Sequence, residues 1–223
     1  MSINIAIDGP AGAGKSTIAK KVAEKLGFVY IDTGAMYRAM AYYFIENKIP
    51  ATDEIQITQS CQNIDITIQF KDNEQQVFLN GNNVNVYLRT EEVGNMASST
   101  SIYPSVRKKL MDLQKKMAAS TDVIMDGRDI GTCVLPDAQV KIYLTASVKT
   151  RAKRRYDELD KKGLDCNLRD IAADIEQRDH RDMTRDIAPL KKAGDAVLLD
   201  SSEMNIEEVT EEIIRIYKRK CER

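Results

Sequence analysis

The chain has 223 residues, 43% of them hydrophobic and 30% charged, a composition typical of one sizeable α/β domain with small insertions. Its net charge of −1 and isoelectric point near 6.0 argue against a general nucleic-acid-binding protein, which needs a basic surplus. No apolar run reaches membrane-spanning length, and the four cysteines lack paired spacing, which favours reduced thiols. We expect a cytoplasmic protein without a secretory signal and without nucleic-acid or membrane partners.

The first predicted elements flank a glycine-rich loop. Ile3–Ile7 is a β-branched run typical of a buried strand, and apolar residues at helical spacing follow from Ile18 to Leu26, before a stop at Gly27. Between them, the sequence fits the phosphate-loop pattern G-x-x-x-x-G-K-[ST]. Backbone N–H groups of such a loop wrap a polyphosphate, and the dipole of the next helix favours an anion. The predicted ATP-binding residues are Gly9, Pro10, Ala11, Gly12, Ala13, Gly14, Lys15, Ser16 and Thr17.

Two residues of this loop have specific predicted roles. Lys15 can reach the β- and γ-phosphates of ATP, which makes it a candidate catalytic residue. The Ser16 hydroxyl can bind Mg²⁺, mostly through water and the phosphates. The alternative is a glycine-rich turn without a ligand, but the predicted strand and helix lie where the motif requires them.

The second predicted strand, Phe28–Ile31, leads into Asp32 and Thr33. Ligands gather beyond the carboxyl ends of parallel strands, so we expect these two residues at the same edge of the sheet as the phosphate loop. A helix follows, and Arg38 lies one turn into it. A guanidinium at that point can bind a phosphate with two hydrogen bonds.

Residues 64–89 have a different pattern. Asp65–Phe70 alternates polar and apolar residues, Gln75–Leu79 is a second strand, and residues 71–74 and Asn80-Gly81 are turns. This predicts a small antiparallel insertion in a parallel α/β chain. The insertion is either a decoration or a flap over a second substrate, and the alternation does not distinguish the two.

A polar stretch from Ser98 to Ser105 precedes the next predicted helix, with Ser105 as its cap. Arg107 then lies in the first turn, where the helix dipole disfavours a cation. A bound anion or polar base would account for an arginine at this position.

Three further apolar runs complete the predicted core: Val123–Asp126, Val140–Leu144 and Asp195–Asp200. The first ends in an aspartate, as does the second nucleotide-binding element of many phosphate-loop proteins, which helps to hold Mg²⁺ through water. Asn205 and Glu208 form a capping-box pattern at the start of the last helix, whose predicted apolar face begins at Ile206.

Residues 151–185 are rich in arginine and acids, and a turn at Lys161–Gly163 divides them into two helices. Ion pairs on a solvated face account for most of these charges. The single histidine, His180, has no partner in the sequence for triad chemistry, which indicates a surface residue.

One polyphosphate-binding loop and several arginines at one edge predict phosphoryl transfer between ATP and a second phosphate. Two polyanions a few ångströms apart repel by several kcal/mol at an effective dielectric near 20. Arginine stays charged and matches phosphate geometry, so cation placement supplies most of the catalysis. A phosphate acceptor already carries a nucleophilic oxygen, so no general base is required.

Five segments together resemble the signature set of bacterial cytidylate kinases, which are nucleoside monophosphate kinases. They are residues 7–17, 32–38, 126–132, 154–156 and 178–185. The resemblance extends from about Ile3 to the final helix, and segments 32–38 and 126–132 are much more specific than the phosphate loop.

The resemblance implies an α/β fold of the P-loop NTPase type, with three layers, a five-stranded parallel core sheet, a small antiparallel insertion and a short helical lid. The expected core is 1–35 with 106–223, including a lid at about 152–180, and the monophosphate-binding region is 36–105, with the insertion at about 64–89. The implied reaction transfers the γ-phosphoryl group of ATP, with Mg²⁺, to CMP or dCMP. We expect a monomer whose partners are these small molecules.

The resemblance also implies individual roles. Thr33 and Asp182 would bind the ribose, and Arg38, Arg128 and Arg185 the phosphate of CMP. Ser98, Arg107 and Asp129 would bind the cytosine edge, whose donor and acceptors suit a carboxylate or hydroxyl beside a guanidinium. Lys15, Arg128, Arg155 and Arg178 are the expected catalytic residues, with Arg154 or Arg155 closing on the ATP phosphates.

Three alternatives stay open. The acceptor could be UMP, AMP or a metabolite hydroxyl. A GTP-binding regulatory protein is a second possibility, although Asn47-Lys48 is followed by Ile49-Pro50 and not by the aspartate of the N-K-x-D motif. A purely structural ATP-binding module is the third, and it leaves the arginines unexplained.

Overall fold

The computed structural model describes residues 2–71 and 74–221. In chain order, the elements are β1 (Asn4–Asp8), α1 (Lys15–Leu26), β2 (Val29–Asp32), α2 (Thr33–Glu46), α3 (Glu54–Ser60), β3 (Ile66–Lys71), β4 (Glu74–Leu79), β5 (Asn82–Asn83), α4 (Glu91–Thr100), α5 (Pro104–Ser120), β6 (Val123–Gly127), a π-helical turn (Ile130–Val134), β7 (Val140–Thr145), α6 (Val148–Lys161), α7 (Leu168–Thr184), β8 (Val197–Asp200) and α8 (Ile206–Cys221). In the part of the chain so described, no helix has both the length and the apolar character needed to cross a bilayer.

The chain forms two compact units. The first, here called the sheet unit, contains residues 1–30 and 121–223, and the second, the hairpin unit, contains residues 31–120. The functional division into a core, a monophosphate-binding region and a lid stays a prediction.

A five-stranded sheet in the order β2-β6-β1-β7-β8 organises the sheet unit. β1 pairs in parallel with β6 and β7, and β7 pairs in parallel with β8. The predicted five-stranded core is therefore confirmed. Apolar residues of α1 and α8, such as Val22 and Ile213, pack with Ile5 and Ile7 of the central strand in one buried cluster.

The register of the central strands brings two loops to one edge of the sheet. Asp8 at the end of β1 lies opposite Gly127 at the end of β6 and opposite Tyr143 of β7. Because parallel strands end at the same edge, the phosphate loop after β1 and the segment after β6 emerge side by side.

The hairpin unit is built around α2. Asp32 caps this helix, because its side chain accepts a hydrogen bond from the N–H of Ala35 at 2.9 Å. Met36, Met40 and Phe44 are fully buried on one side of α2, as expected for apolar residues spaced at one helical turn.

The antiparallel insertion in the hairpin unit is confirmed as a sheet in the order β3-β4-β5. Ile66 pairs with Leu79, and the register continues to Lys71 opposite Glu74. Lys71 and Glu74 are strand residues, and the other two positions of the predicted turn, 72 and 73, lie outside the described residues. The turn at Asn80-Gly81 is present, with φ angles of 47° and 82°.

One polar stretch and one helix start differ from the sequence-based predictions. Ser98 is helical, within α4, and the polar stretch after it is short. The next helix, α5, begins at Pro104, so Ser105 lies in its first turn and is not its cap. Proline fits the first helical position because the N–H that it lacks would have no helical partner there. The Ser105 hydroxyl instead lies 3.0 Å from that of Thr58.

The predicted pair of charged helices and the last helix are also present. The turn at residues 161–163 separates α6 from α7. Asn205 and Glu208 form the predicted capping box, with reciprocal hydrogen bonds of 3.0 and 2.8 Å. The predicted apolar face is wrong at Ile206, which is 48% exposed, because the first turn of α8 is at the end of the buried cluster.

We expect Gly9→Ala to destabilise the protein by about 1–3 kcal/mol or more, because overpacking that forces the backbone to shift has a cost of this size. Gly9 has a φ of 150°, and an added Cβ would lie 1.9 Å from the carbonyl oxygen of Leu144. Urea unfolding measures the change. In the control, Gly94→Ala, the new Cβ has no neighbour within 4 Å. This substitution should stabilise the folded protein by about 0.5–1 kcal/mol, because alanine has a higher helix propensity than glycine. Equal effects of the two substitutions would contradict the close approach at Gly9.

Candidate active site

The phosphate loop leads directly into α1. Gly14 adopts a left-handed conformation, with φ 85°, and its carbonyl accepts the first helical hydrogen bond, from Ile18, at 3.0 Å. No acidic residue lies in the first turn of α1. The positive end of the helix dipole is therefore not compensated by a carboxylate of the helix itself, which suits an anionic ligand.

Lys15 is buried, with 5% of its surface exposed, and its ammonium group donates a hydrogen bond to the carbonyl of Pro10 at 2.7 Å. Burial lowers its pKa well below the usual value, and the nearby charges of Arg128 and Arg178 lower it further. A phosphate at this ammonium group would offset the repulsion between the cations.

Ser16 and Asp126 provide the oxygen atoms expected at a magnesium site. The Ser16 hydroxyl donates to Asp126 Oδ2 at 2.9 Å, and the Tyr30 hydroxyl donates to Asp126 Oδ1 at 2.8 Å. Hydroxyl and carboxylate oxygens are ligands that Mg²⁺ prefers. Within residues 2–71 and 74–221, no three acidic, histidine or cysteine side chains form a metal cluster, so phosphate oxygens would have to supply most of the remaining ligands.

Four predicted substrate-binding residues of the sheet unit form an alternating series of charges. Arg128 Nε lies 2.8 Å from Asp182 Oδ2. Asp182 Oδ1 lies 3.9 Å from Arg185 Nη1, and Arg185 Nη2 lies 3.4 Å from Asp129 Oδ1. The structure thus brings together two of the predicted phosphate ligands, one ribose ligand and one base ligand.

The arginines of this series determine the ionisation of Asp182. Burial alone would raise the pKa of its carboxyl group, but the charges of Arg128, Arg185 and Arg178 outweigh burial and keep the pKa below its usual value. Asp182 therefore stays a carboxylate, and it orients Arg128 through a direct hydrogen bond. Two hydrogen bonds, to Asp182 and to the carbonyl of Gly127, fix this guanidinium group.

The interpretation of residues 151–185 as solvated ion pairs is right in part. Lys153 pairs with Asp157 at 2.7 Å, and Arg155 pairs with Glu158 at 2.9 Å, all on the exposed side of α6. It is wrong for Arg151, which is only 4% exposed. Arg151 contacts the phosphate loop through the carbonyl of Ala11, and the helical spacing on which the prediction relied could not reveal this long-range contact. The catalytic role of Arg155 stays a prediction.

Asp32 and Arg38 form part of a cluster in the hairpin unit. Asp32 Oδ2 lies 3.0 Å from Arg38 Nη2 and 3.3 Å from Arg89 Nη2. The side chain of Gln75 bonds both the N–H of Asp32, at 2.9 Å, and its carbonyl, at 3.2 Å. Gln75 and Arg89, which sequence reasoning missed, both come from the predicted insertion, Gln75 from β4 and Arg89 from its last position. The insertion therefore contacts the start of α2 directly.

Thr33, Ser98 and Arg107 are also parts of the hairpin unit. Thr33 is 3% exposed and Arg107 is 4% exposed. Arg107 donates to the carbonyl of Ser101 at 3.3 Å, and its guanidinium group lies 5.7 Å from the centre of the Tyr37 ring. Ser98 Oγ is buried and has no hydrogen-bond partner among the described residues, which suits a group that binds a ligand.

Asp8 is a buried carboxylate that sequence reasoning missed. Its two oxygens accept hydrogen bonds from the N–H groups of Ile130, at 2.8 Å, and Gly131, at 2.7 Å. Burial raises its pKa to about 6, although these two hydrogen bonds and the charge of Lys15 oppose the rise. Asp8 thereby fixes the π-helical turn that follows Asp129.

A family model and similar known proteins assign this chain to the same family. The model of the cytidylate kinase family matches residues 5–219. The cytidylate kinase of Lactobacillus gasseri is 49% identical over 98% of this chain and 95% of its own length. The cytidylate kinase of Bacillus cereus is 50% identical over 96% of this chain and 95% of its own length.

Solved structures with the same fold include kinases of low sequence identity. A gluconokinase from Sinorhizobium meliloti is 14% identical, with a TM-score of 0.53 over 99% of this chain and 94% of that chain. A shikimate kinase from Acinetobacter baumannii is 13% identical, with a TM-score of 0.51 over 100% of this chain and 97% of that chain. The predicted three-layer P-loop fold is confirmed, and at these identities the likeness concerns the fold alone.

Asp8 predicts a specific pH dependence of stability. The folded protein keeps the Asp8 proton up to about pH 6, whereas an unfolded chain releases it near the usual pKa of 3.8. Since the folded state binds more protons in this interval, the stability that Asp8 contributes falls as the pH rises from about 4 to 6, by roughly 3 kcal/mol. Urea unfolding of the wild type and of Asp8→Asn between about pH 4 and 6 measures this change in the free energy of unfolding. Parallel pH profiles for the two proteins would contradict the raised pKa.

Proposed function

This chain belongs to the cytidylate kinase family, and from that premise we propose that it transfers the γ-phosphoryl group of ATP to CMP or dCMP, giving CDP or dCDP. The buried Lys15 of the phosphate loop, together with Arg128 held in place by Asp182, carries the proposal. Burial and cation–cation repulsion both lower the pKa of Lys15, and a nucleotide polyphosphate is a ligand that offsets both.

Residues 9–17 bind the ATP phosphates in this proposal. The backbone N–H groups of the loop and the positive end of α1 face the anion, and Lys15 exchanges the carbonyl of Pro10 for a phosphate oxygen. Ser16, with Asp126 behind it, would hold Mg²⁺, which when bound neutralises charge on the phosphates.

Arginines bind the acceptor phosphate. Arg128 and Arg185 of the sheet unit are already oriented by the carboxylates of Asp182 and Asp129, and Arg38 of the hairpin unit is oriented by Asp32. Guanidinium groups with fixed orientations bind phosphate without a further ordering cost. An oxygen of the CMP phosphate attacks the γ-phosphorus, the bond to the bridging oxygen of ATP breaks, and ADP leaves.

Ser98, Arg107 and Asp129 bind the cytosine edge, and Thr33 and Asp182 bind the ribose. The buried Ser98 hydroxyl, which has no partner within the described residues, supports the first assignment, since buried hydroxyl groups are normally hydrogen-bonded. The carboxylate and hydroxyl acceptors suit the amino group of cytosine, and the guanidinium of Arg107 suits its ring nitrogen and carbonyl.

The remaining assignments concern the lid and the transferring group. Arg178, whose charge acts on Lys15, stabilises the γ-phosphoryl group during transfer, and Arg155 closes on ATP from a lid at about 152–180. Residues 1–35 and 106–223 form the functional core, and residues 36–105 the monophosphate-binding region. The protein acts in the cytoplasm as a monomer.

An acceptor panel tests this function. ATP consumption with CMP, dCMP, UMP, AMP, GMP and small hydroxyl acceptors should show kcat/KM at least about 10-fold higher for CMP and dCMP than for UMP, because a site built to hydrogen-bond an amino group rejects an analogue without it. Equal rates for all nucleotides would overturn the assignment. Tight GTP binding without transfer would favour the regulatory alternative.

Arg128→Ala should raise the KM for CMP by roughly 10- to 100-fold, because a hydrogen bond to a charged group contributes about 1.5–3 kcal/mol. Equilibrium binding of a non-hydrolysable ATP analogue should persist. Arg215→Ala, which removes an exposed arginine of α8 paired with Glu212, is the matched control and should change neither constant. Full turnover of Arg128→Ala at low CMP would show that this arginine does not bind the acceptor phosphate.

A further inference from the structure

The backbone of Ala11, at the centre of the phosphate loop, is bound on both sides by side chains from distant helices. Its carbonyl accepts a hydrogen bond from Arg151 Nη1 of α6 at 2.8 Å. Its N–H donates to Asp179 Oδ1 of α7 at 3.3 Å. Two helices far along the chain therefore fix the two peptide groups that flank Ala11, in the loop that we assign to ATP.

Arg151 and Asp179 also bind each other. Arg151 Nη2 lies 2.7 Å from Asp179 Oδ2, and Arg151 Nε donates to the carbonyl of Ala146 at 2.9 Å. Only 4% of Arg151 and 7% of Asp179 is exposed. Arg151 makes three of these contacts and Asp179 makes two, so the pair has little freedom to move independently of the loop.

Stability is a weak reason for a buried ion pair at this position. The desolvation of two charges costs about as much as their attraction returns, and apolar residues of similar size often stabilise a protein equally well. The pair instead supplies something that apolar residues cannot supply, a donor and an acceptor for the two polar groups of Ala11.

We propose that Arg151 and Asp179 are positioning residues that hold the phosphate loop in its nucleotide-binding conformation and couple it to α6 and α7. The inference rests on the proposed function only in taking ATP as the ligand of the loop. Neither residue needs to contact the nucleotide. Both act through the backbone of Ala11, whose peptide orientation influences how its neighbours in the loop face the phosphates.

The coupling has a direct consequence for Arg178. This residue precedes Asp179 on α7, and its positive charge already lowers the pKa of Lys15. Because Asp179 is bound to the loop, the segment of α7 that carries Arg178 keeps a fixed position relative to Lys15. The Arg151–Asp179 pair therefore sets the spacing of two cations that we assign to the transferring phosphoryl group.

Three variants test the proposal: Arg151→Met, Asp179→Asn and the double variant. Each should raise the KM for ATP and the Kd for a non-hydrolysable ATP analogue by about 10-fold or more, the size expected when charge-assisted hydrogen bonds are lost. The KM for CMP should change less than about 2-fold. The double variant should bind the ATP analogue as tightly as the single variant with the lower affinity, since the two residues act as one unit.

Hydrogen exchange separates positioning from a general loss of stability. In the protein without nucleotide, backbone amides at residues 11–14 should exchange at least about 10-fold faster in Arg151→Met, while amides of β1 and β7 keep their wild-type rates. Lys153→Gln, which breaks the exposed pair with Asp157 on the same helix, is the matched control. It should change neither the amide exchange rates nor the KM and Kd values.

Asp179→Asn loses the ion pair with Arg151 and offers the Ala11 N–H only a neutral amide oxygen. It leaves no unpaired carboxylate, so it provides a variant that should fold if Arg151→Met does not. Equal increases in the KM for ATP and CMP, or unchanged exchange at residues 11–14, would overturn the proposal. ATP-analogue binding and hydrogen exchange require no acceptor, so a wild-type protein inactive on CMP would refute the proposed reaction without affecting this test.

Discussion

Repulsion between the buried ammonium group of Lys15 and the arginines near the phosphate loop is the constraint on which the site depends. Burial lowers the pKa of Lys15, and the charges of Arg128 and Arg178 lower it further, so this ammonium group is costly to charge in the absence of an anion. Asp126 and Asp182 offset part of that cost. In the proposed function, a polyphosphate would complete the balance of charge at this site.

Carboxylates do most of the orienting in this structure. Asp182 fixes Arg128, Asp129 contacts Arg185, and Asp32 contacts Arg38. An arginine held in this way loses little freedom when it binds a phosphate, and its donors already point in fixed directions. The same carboxylates are therefore necessary for the arrangement even where a nucleotide contacts only the guanidinium groups.

Structural similarity identifies the fold of this chain, whereas the sequence family identifies its relatives more narrowly. Gluconokinase and shikimate kinase share the fold at 14% and 13% identity, and a shared fold does not by itself determine function. The family match over residues 5–219 is what distinguishes this chain. Its specific segments lie where strands β2 and β6 end, because that edge is where side chains can vary without disturbing the buried sheet.

The sequence by itself determined the elements whose signals are local. The phosphate loop, the five core strands, the antiparallel hairpin and the capping box at Asn205 and Glu208 each depend on residues close along the chain. The start of α5 was predicted wrongly, because a serine next to a proline suits either a helix cap or a first turn, as Ser105 demonstrates.

Only the tertiary structure decided which distant groups meet. Asp8 and Gly131 are separated by 123 residues, and Ala11 lies 140 residues from Arg151 and 168 from Asp179. These contacts depend on strand register and on how α6 and α7 pack, which helical or strand periodicity does not encode. Arg151 and Arg155 are one helical turn apart, and the sequence pattern does not tell which of them is buried. Only the packing of α6 distinguishes the buried Arg151 from the solvated Arg155.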